Sequence, residues 1–232
     1  MKLNVQHPSQ EVNGELTITG SKSESNRLLV LQALYPQIEI QNLSNSDDSQ
    51  VTQKGLKSKS NTIDIHHAGT AMRFLTAYFA IQPHREVVLT GSERMQERPI
   101  KLLVEALNGL GADISYEKEP GFPPLIIRGK EISTDRVSLP ADISSQYISA
   151  LMLIAPSLKN GLKIDLIGET TSVPYIKMTQ SIMNQLGFEV NFDGNQIVVK
   201  PTLKIEPNLW TVESDWSSAS YFYSIVALAL KG

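Results

Sequence analysis

The chain has 232 residues, 41% hydrophobic and 19% charged, which suits one large or two small packed domains and argues against disorder. It has no cysteine, which excludes disulfides, thiolate metal sites and a cysteine nucleophile, and its four histidines give a metal site little support. The net charge of −3 argues against general nucleic-acid or acidic-membrane binding, no apolar run approaches the roughly 20 residues of a membrane span, and MKLNVQHPSQ lacks a signal peptide's apolar core, so a cytoplasmic protein is expected.

In chain order, the first predicted helix is Ser25–Leu34, followed by the strand IEIQNL, a weak helix DDSQVTQKGLK and the strand NTIDI. A second helix is predicted over Thr70–Ile81. The strand VVLTG then leads to the amphipathic helix PIKLLVEALNGLGA and the strands ISY and PLIIRG. A third apolar helix covers Ser144–Pro156. IDLIG, the amphipathic helix PYIKMTQSIMNQLGF and the strands EVNF and QIVVKP follow, and an apolar helix over Ser217–Leu230 comes last. The amphipathic helices carry Pro99 and Pro174 in the first turn, where the missing N–H costs least, and end at Leu110-Gly111 and Leu186-Gly187, where glycine can cap. The helices over Ser25–Leu34, Thr70–Ile81, Ser144–Pro156 and Ser217–Leu230 are apolar nearly all round, which predicts burial on every side.

The order repeats. VVLTGSERMQERPIKLLVEALNGLGADISY aligns with IDLIGETTSVPYIKMTQSIMNQLGFEVNF, and each is preceded by an apolar helix and followed by one more strand. Ser25–Ile65 fits a degraded first copy. A fully apolar helix near the end of the chain needs a partner surface, so the chain is expected to be a domain of a longer protein.

Five polar segments stand before helices: GSKSESNR (20–27), HHAGTAMR (66–73), GSERMQERP (91–99), ADISSQ (141–146) and GETTSVPY (168–175). Helix starts offer unpaired N–H groups and partial positive charge, so their convergence would bind an anion. Lys22, Arg27, Arg73, Arg94 and Arg98 lie in these segments. Each piece also has a plain reading: Ser25 as a helix cap, Arg73 as a buried side chain bonded to a neighbouring carbonyl or carboxylate, Arg94 as a solvated turn residue. Walker and dinucleotide-binding glycine patterns are absent.

Together, GSKSESNR, AGTAMR, LTGSERMQERPI, SSQYISALMLIAP, SVPYI and ESDWSSASY resemble, in order, the 5-enolpyruvylshikimate-3-phosphate synthase family, over the first half of its length. The resemblance implies an α/β fold: one lobe of three repeated β-α-β-α-β-β units with buried helices and outward-facing sheets. It divides the chain into N-terminal strands at 1–20 that pack with a second lobe, the lobe itself at 21–215, and at 216–232 the start of the crossing into the absent C-terminal lobe. It implies transfer of the enolpyruvyl group of phosphoenolpyruvate to the 5-hydroxyl of shikimate 3-phosphate, with no cofactor and no metal. The partners implied are those two substrates and the C-terminal lobe. Lys22 matches a lysine touching both substrates; Ser23, Arg27, Ser144, Ser145, Gln146, Ser172 and Tyr175 match shikimate-3-phosphate contacts. Gly69, Arg98, Gln146 and Lys22 match the phosphoenolpyruvate site. Departures are His66-His67 where the family has Gly-Asn before Ala-Gly-Thr, and a short first repeat between Asp47 and Ile65. The acid/base groups belong to the second lobe, so this chain alone is expected to be inactive. The alternatives are the sister transferase acting on UDP-N-acetylglucosamine, which usually carries a reactive cysteine, and a non-catalytic anion-binding module.

Overall fold

The computed structural model describes residues 11–231. The first apolar stretch forms α1 (Lys22–Leu34), then come β1 (Ile38–Gln41), α2 (Asp47–Lys57) and β2 (Thr62–Asp64). The second apolar helix is α3 (Gly69–Ala80), followed by β3 (Glu86–Thr90), the short α4 (Glu93–Gln96), α5 (Lys101–Gly109), β4 (Asp113–Tyr116) and β5 (Leu125–Arg128). The third copy runs β6 (Arg136–Pro140), α6 (Ser145–Ile154), a single 3-10 turn, β7 (Leu162–Ile167), α7 (Val173–Gln185), β8 (Val190–Asp193) and β9 (Gln196–Val199). β10 (Asn208–Thr211) and α8 (Trp216–Leu228) follow.

The repeat seen in the sequence is a repeat in space. One four-stranded sheet has the order β2-β3-β5-β4 and another β6-β7-β9-β8. In each, the first pair is parallel and the rest antiparallel. Both units therefore read β-α-β-α-β-β. Strand alternation aims one row inward: Val87 and Leu89 on β3, Leu125 and Ile127 on β5, Ile164 and Leu166 on β7 and Ile197 and Val199 on β9 are all buried. Against them lie α1, α3 and α6, which pack on one another at the centre. Their apolar circumference is explained by this placement: each has protein on every side. The glycines after the amphipathic helices, Gly111 (φ 107°) and Gly187 (φ 92°), take the left-handed conformation that ends a helix.

The first unit is abbreviated. Its sheet holds only β1 and β10, paired in parallel with Ile38 opposite Asn208 and Ile40 opposite Trp210. β10, from the far end of the chain, fills the place that β2 and β6 hold in the other sheets. NTIDI is thereby corrected. It opens the second sheet, with Ile63 beside Leu89, rather than closing the first copy, because the chain leaves α2 with only a few residues before it must enter α3.

Two further expectations change. Ser25 does not cap α1; it lies inside the helix, fully buried, and its hydroxyl accepts the Ser44 N–H at 2.9 Å. The N-cap is Ser21, whose side chain makes no cap bond. α8 is not buried: Trp216 (72% exposed), Tyr221 (73%) and Leu228 (86%) stand in solvent, since no described element packs over them. The strands expected within residues 1–20 fall partly outside the described residues. Of the remainder, Val12 N–H bonds Lys231 O at 3.0 Å, and Gly20 pairs with Ser214.

Candidate functional site

The helix starts converge. A cavity of about 680 Å³, within the usual range for small-molecule sites, opens where the N-terminal ends of α1, α2, α3, α6, α7 and α8 meet. α1 contributes Ser21, Lys22, Ser23 and Arg27; the turn before α2 contributes Ser44, Asn45 and Ser46. Thr70 comes from α3, Arg98 from the turn before α5, Ser144, Ser145 and Gln146 from α6, and Tyr175 from α7. Asp215, Ser217, Ser218 and Tyr221 come from α8, and Thr19 and Gly20 from the segment before α1. Three side chains in this lining are cationic (Lys22, Arg27, Arg98) and one, Asp215, is a carboxylate. Asp215 is largely occupied, accepting the Ser218 N–H at 2.9 Å and the Lys22 N–H at 3.2 Å. Aligned helix dipoles, hydroxyl donors and excess cations describe a site for a multiply charged, oxygen-rich anion.

All five segments singled out in the sequence reach this cavity. Lys22, Ser23, Arg27, Arg98, Ser144, Ser145, Gln146 and Tyr175 line it; Gly69 and Ser172 do not. Gly69 stands directly behind Arg98. A Cβ there would come within 2.4 Å of Arg98 Nη1 and 3.0 Å of Arg73 Nη1, so glycine is what lets two guanidinium groups approach the start of α3. Ser172 is the N-cap of α7 in the left-handed region (φ 55°), sparsely populated for serine, and its side chain makes no cap bond.

The cations are held differently. Lys22 is half exposed and reaches Asp48 only at 4.0 Å. Arg27 is 3% exposed and donates to Thr179 Oγ1 (2.7 Å), Ser23 O (2.7 Å) and Ser149 Oγ (3.1 Å). No carboxylate pairs with it among the described residues, and burial pushes its guanidinium down to about 10. Arg73 is buried and donates to Gly69 O at 2.9 Å, the neighbouring-carbonyl role weighed from sequence, while its Nε has no partner. Burial first, then the charge of Arg98, lowers its pKa; nearby Tyr147 opposes this. Gln146 Nε2 reaches Thr70 Oγ1 at 3.3 Å, which ties the start of α6 to that of α3. His67 lies outside the cavity lining, exposed, with Nε2 3.8 Å from Asp47 Oδ2.

Sequence reasoning missed the residues from 44–46 and the first turn of α8 as lining. Both carried the pattern used elsewhere, small polar residues immediately before a helix. Ser46 is the N-cap of α2 and Asp215 that of α8.

A lobe with helices inside, sheets outside and helix starts gathered on a basic, hydroxyl-rich cavity defines an α/β protein of the enolpyruvyl transferase fold. An EPSP synthase structure from Acinetobacter baumannii shares it, with a TM-score of 0.73 at 22% identity over 90% of this chain and 52% of that one. The family model described as EPSP synthase (3-phosphoshikimate 1-carboxyvinyltransferase) matches residues 51–231, and the chain belongs to that family. Among curated relatives, the 3-phosphoshikimate 1-carboxyvinyltransferase of Bacteroides fragilis strain YCH46 is 46% identical over 223 residues, covering 96% of this chain and 54% of that protein. The protein of that name from Haemophilus influenzae strain Rd is 39% identical over 256 residues, covering 97% of this chain and 59% of its own length. The chain thus spans little more than half the length of these relatives.

Proposed function

We propose that the chain supplies the shikimate-3-phosphate half-site of an enzyme that transfers the enolpyruvyl group of phosphoenolpyruvate to the 5-hydroxyl of shikimate 3-phosphate, with release of phosphate. The observation that carries this is the convergence of six helix N-termini and three cations on one cavity with a single, already engaged carboxylate. Ser23, Ser144 and Ser145 donate to the 3-phosphate from the cavity lining, where its charge suits the helix starts, and Ser172, outside that lining with a side chain that makes no cap bond, is assigned the same role. Arg27 faces the shikimate carboxylate and Tyr175 lies beside the ring. Lys22 touches both ligands, and Arg98, Gly69 and Gln146 form this chain's part of the phosphoenolpyruvate site. Arg98 can grip phosphate with two parallel donors. During addition of the 5-hydroxyl oxygen and elimination of phosphate, the Lys22 ammonium offsets charge gathering on the departing phosphate.

On this reading residues 21–215 are the lobe and α8 begins the crossing to a second lobe, which brings the proton-transferring groups; closure of the two would exclude water. The setting is the cytoplasm. Phosphate release from phosphoenolpyruvate and shikimate 3-phosphate tests the proposal. The protein carrying both lobes turns over and loses at least about a hundredfold in kcat with Lys22→Met. The 232-residue chain alone releases none. Turnover by the chain alone, or full activity of the Lys22→Met protein, would overturn the proposal.

A further inference from the structure

Arg27 is gripped from four helices at once. Its own helix α1 provides Ser23 O, α6 provides Ser149 Oγ, α7 provides Thr179 Oγ1, and the Phe74 ring of α3 lies under the guanidinium at 5.7 Å. Ser149 and Thr179 are fully buried. Their hydroxyls are 2.9 Å apart, and Thr179 Oγ1 lies 2.9 Å from Tyr175 O. Counting protons fixes the direction of this chain. Thr179 has one proton, and Tyr175 O can only accept it; Ser149 must then donate to Thr179. Thr179 Oγ1 accepts from Ser149 and from Arg27 Nε, while Ser149 Oγ accepts from Arg27 Nη2. Every hydroxyl proton is therefore turned away from Arg27, and both oxygens present lone pairs to it. The guanidinium has five N–H groups, three of which these bonds use. One remains on each terminal nitrogen, on a cation that lines the cavity and has no carboxylate partner among the described residues.

We infer that Ser149 and Thr179 are positioning residues for Arg27: a buried hydroxyl relay, anchored on the Tyr175 carbonyl, that fixes the guanidinium plane so that its two spare N–H groups face a ligand carboxylate. This rests on the proposed shikimate-3-phosphate site. Neutral hydroxyls hold the side chain without neutralising it, whereas an acid in either place would take up the charge the ligand needs. The relay also joins Arg27 to the first turn of α7, next to Ser172 and Tyr175, so contacts from three helices share one frame.

The test is a double-mutant cycle on the 232-residue chain, read by calorimetric titration with shikimate 3-phosphate and, separately, with inorganic phosphate. Thr179→Val, close in shape but without the hydroxyl, is expected to weaken shikimate 3-phosphate about tenfold and leave inorganic phosphate unchanged. Thr179→Ser is expected to restore affinity, and Thr179→Val to add nothing once Arg27→Gln is present. Equal losses in both backgrounds, or parallel loss of inorganic phosphate, would overturn the inference. Should the parent chain bind no shikimate 3-phosphate, the ligand assignment fails while the relay is still tested by proton exchange at Arg27 Nε–H in NMR spectra. Slow exchange in the parent and Thr179→Ser, and fast exchange in Thr179→Val with core amides still protected, is expected. Unchanged exchange in Thr179→Val would sink the relay.

Discussion

Arg27 shows how a single residue can be costly to the fold and useful to the site. Its guanidinium is almost wholly out of water, and desolvation brings it down to about 10. A bound carboxylate favours the cation, so the complex keeps a proton that the free protein releases at lower pH. Affinity for shikimate 3-phosphate is therefore expected to be level at neutral pH and to fall as pH rises through about 10. An Arg27→Gln variant binds weakly and loses the Arg27 share of that fall, giving a shallower profile; an identical profile in the variant would show that another group governs it. At this scale the residue type was legible in GSKSESNR, but the grip was not. Ser149 and Thr179 are ordinary small polar residues in their helices, and only the packing of α6 and α7 against α1 gives them a shared partner. Ser25 misled for the same reason. Its place before an apolar run reads as a cap, yet α1 starts three residues earlier and turns Ser25 toward Ser44.

Among the elements, the segment leading into α1 and the one leading into α8 depend on each other. Ser21 N–H bonds Glu213 O at 2.7 Å, and Asp215 N–H bonds Thr19 O at 2.9 Å. Glu24 accepts the Trp210 indole N–H and the Glu213 N–H, and burial raises its pKa more than those bonds lower it. Gly20 sits where these two segments cross, and a Cβ there would stand 1.9 Å from Asn42 O and 2.7 Å from Val212 Cγ1, with backbone on one side that cannot swing away. Gly20→Ala is expected to cost about 1–3 kcal/mol in chemical denaturation and to loosen the entry to α1. A variant as stable as the parent would mean that this crossing yields freely. The repeat and its caps could be read from periodicity, proline and glycine alone. The partner of β1 could not, because β10 is about 170 residues away in sequence and no local pattern encodes which edge a strand joins.

For the molecule as a whole, the central fact is that helix dipoles from the three units and from α8 point into one cavity, and three cations meet there while the net charge stays at −3. The apolar all-round pattern of α1, α3 and α6 announced this arrangement, since such helices must sit inside sheets. The same pattern in α8 reads as buried too, but burial depends on what is present to cover it, and in residues 11–231 nothing does. The proposed function turns on what the cavity binds. Titration of the isotopically labelled 232-residue chain with shikimate 3-phosphate, followed by backbone amide NMR shifts, tests this most directly. The prediction is saturable shifts concentrated at Gly20–Arg27, Ser144–Gln146 and Ser172–Tyr175, and lost on Ser144→Ala with Ser145→Ala. Shifts absent at millimolar ligand, or centred elsewhere on the lobe, would contradict it.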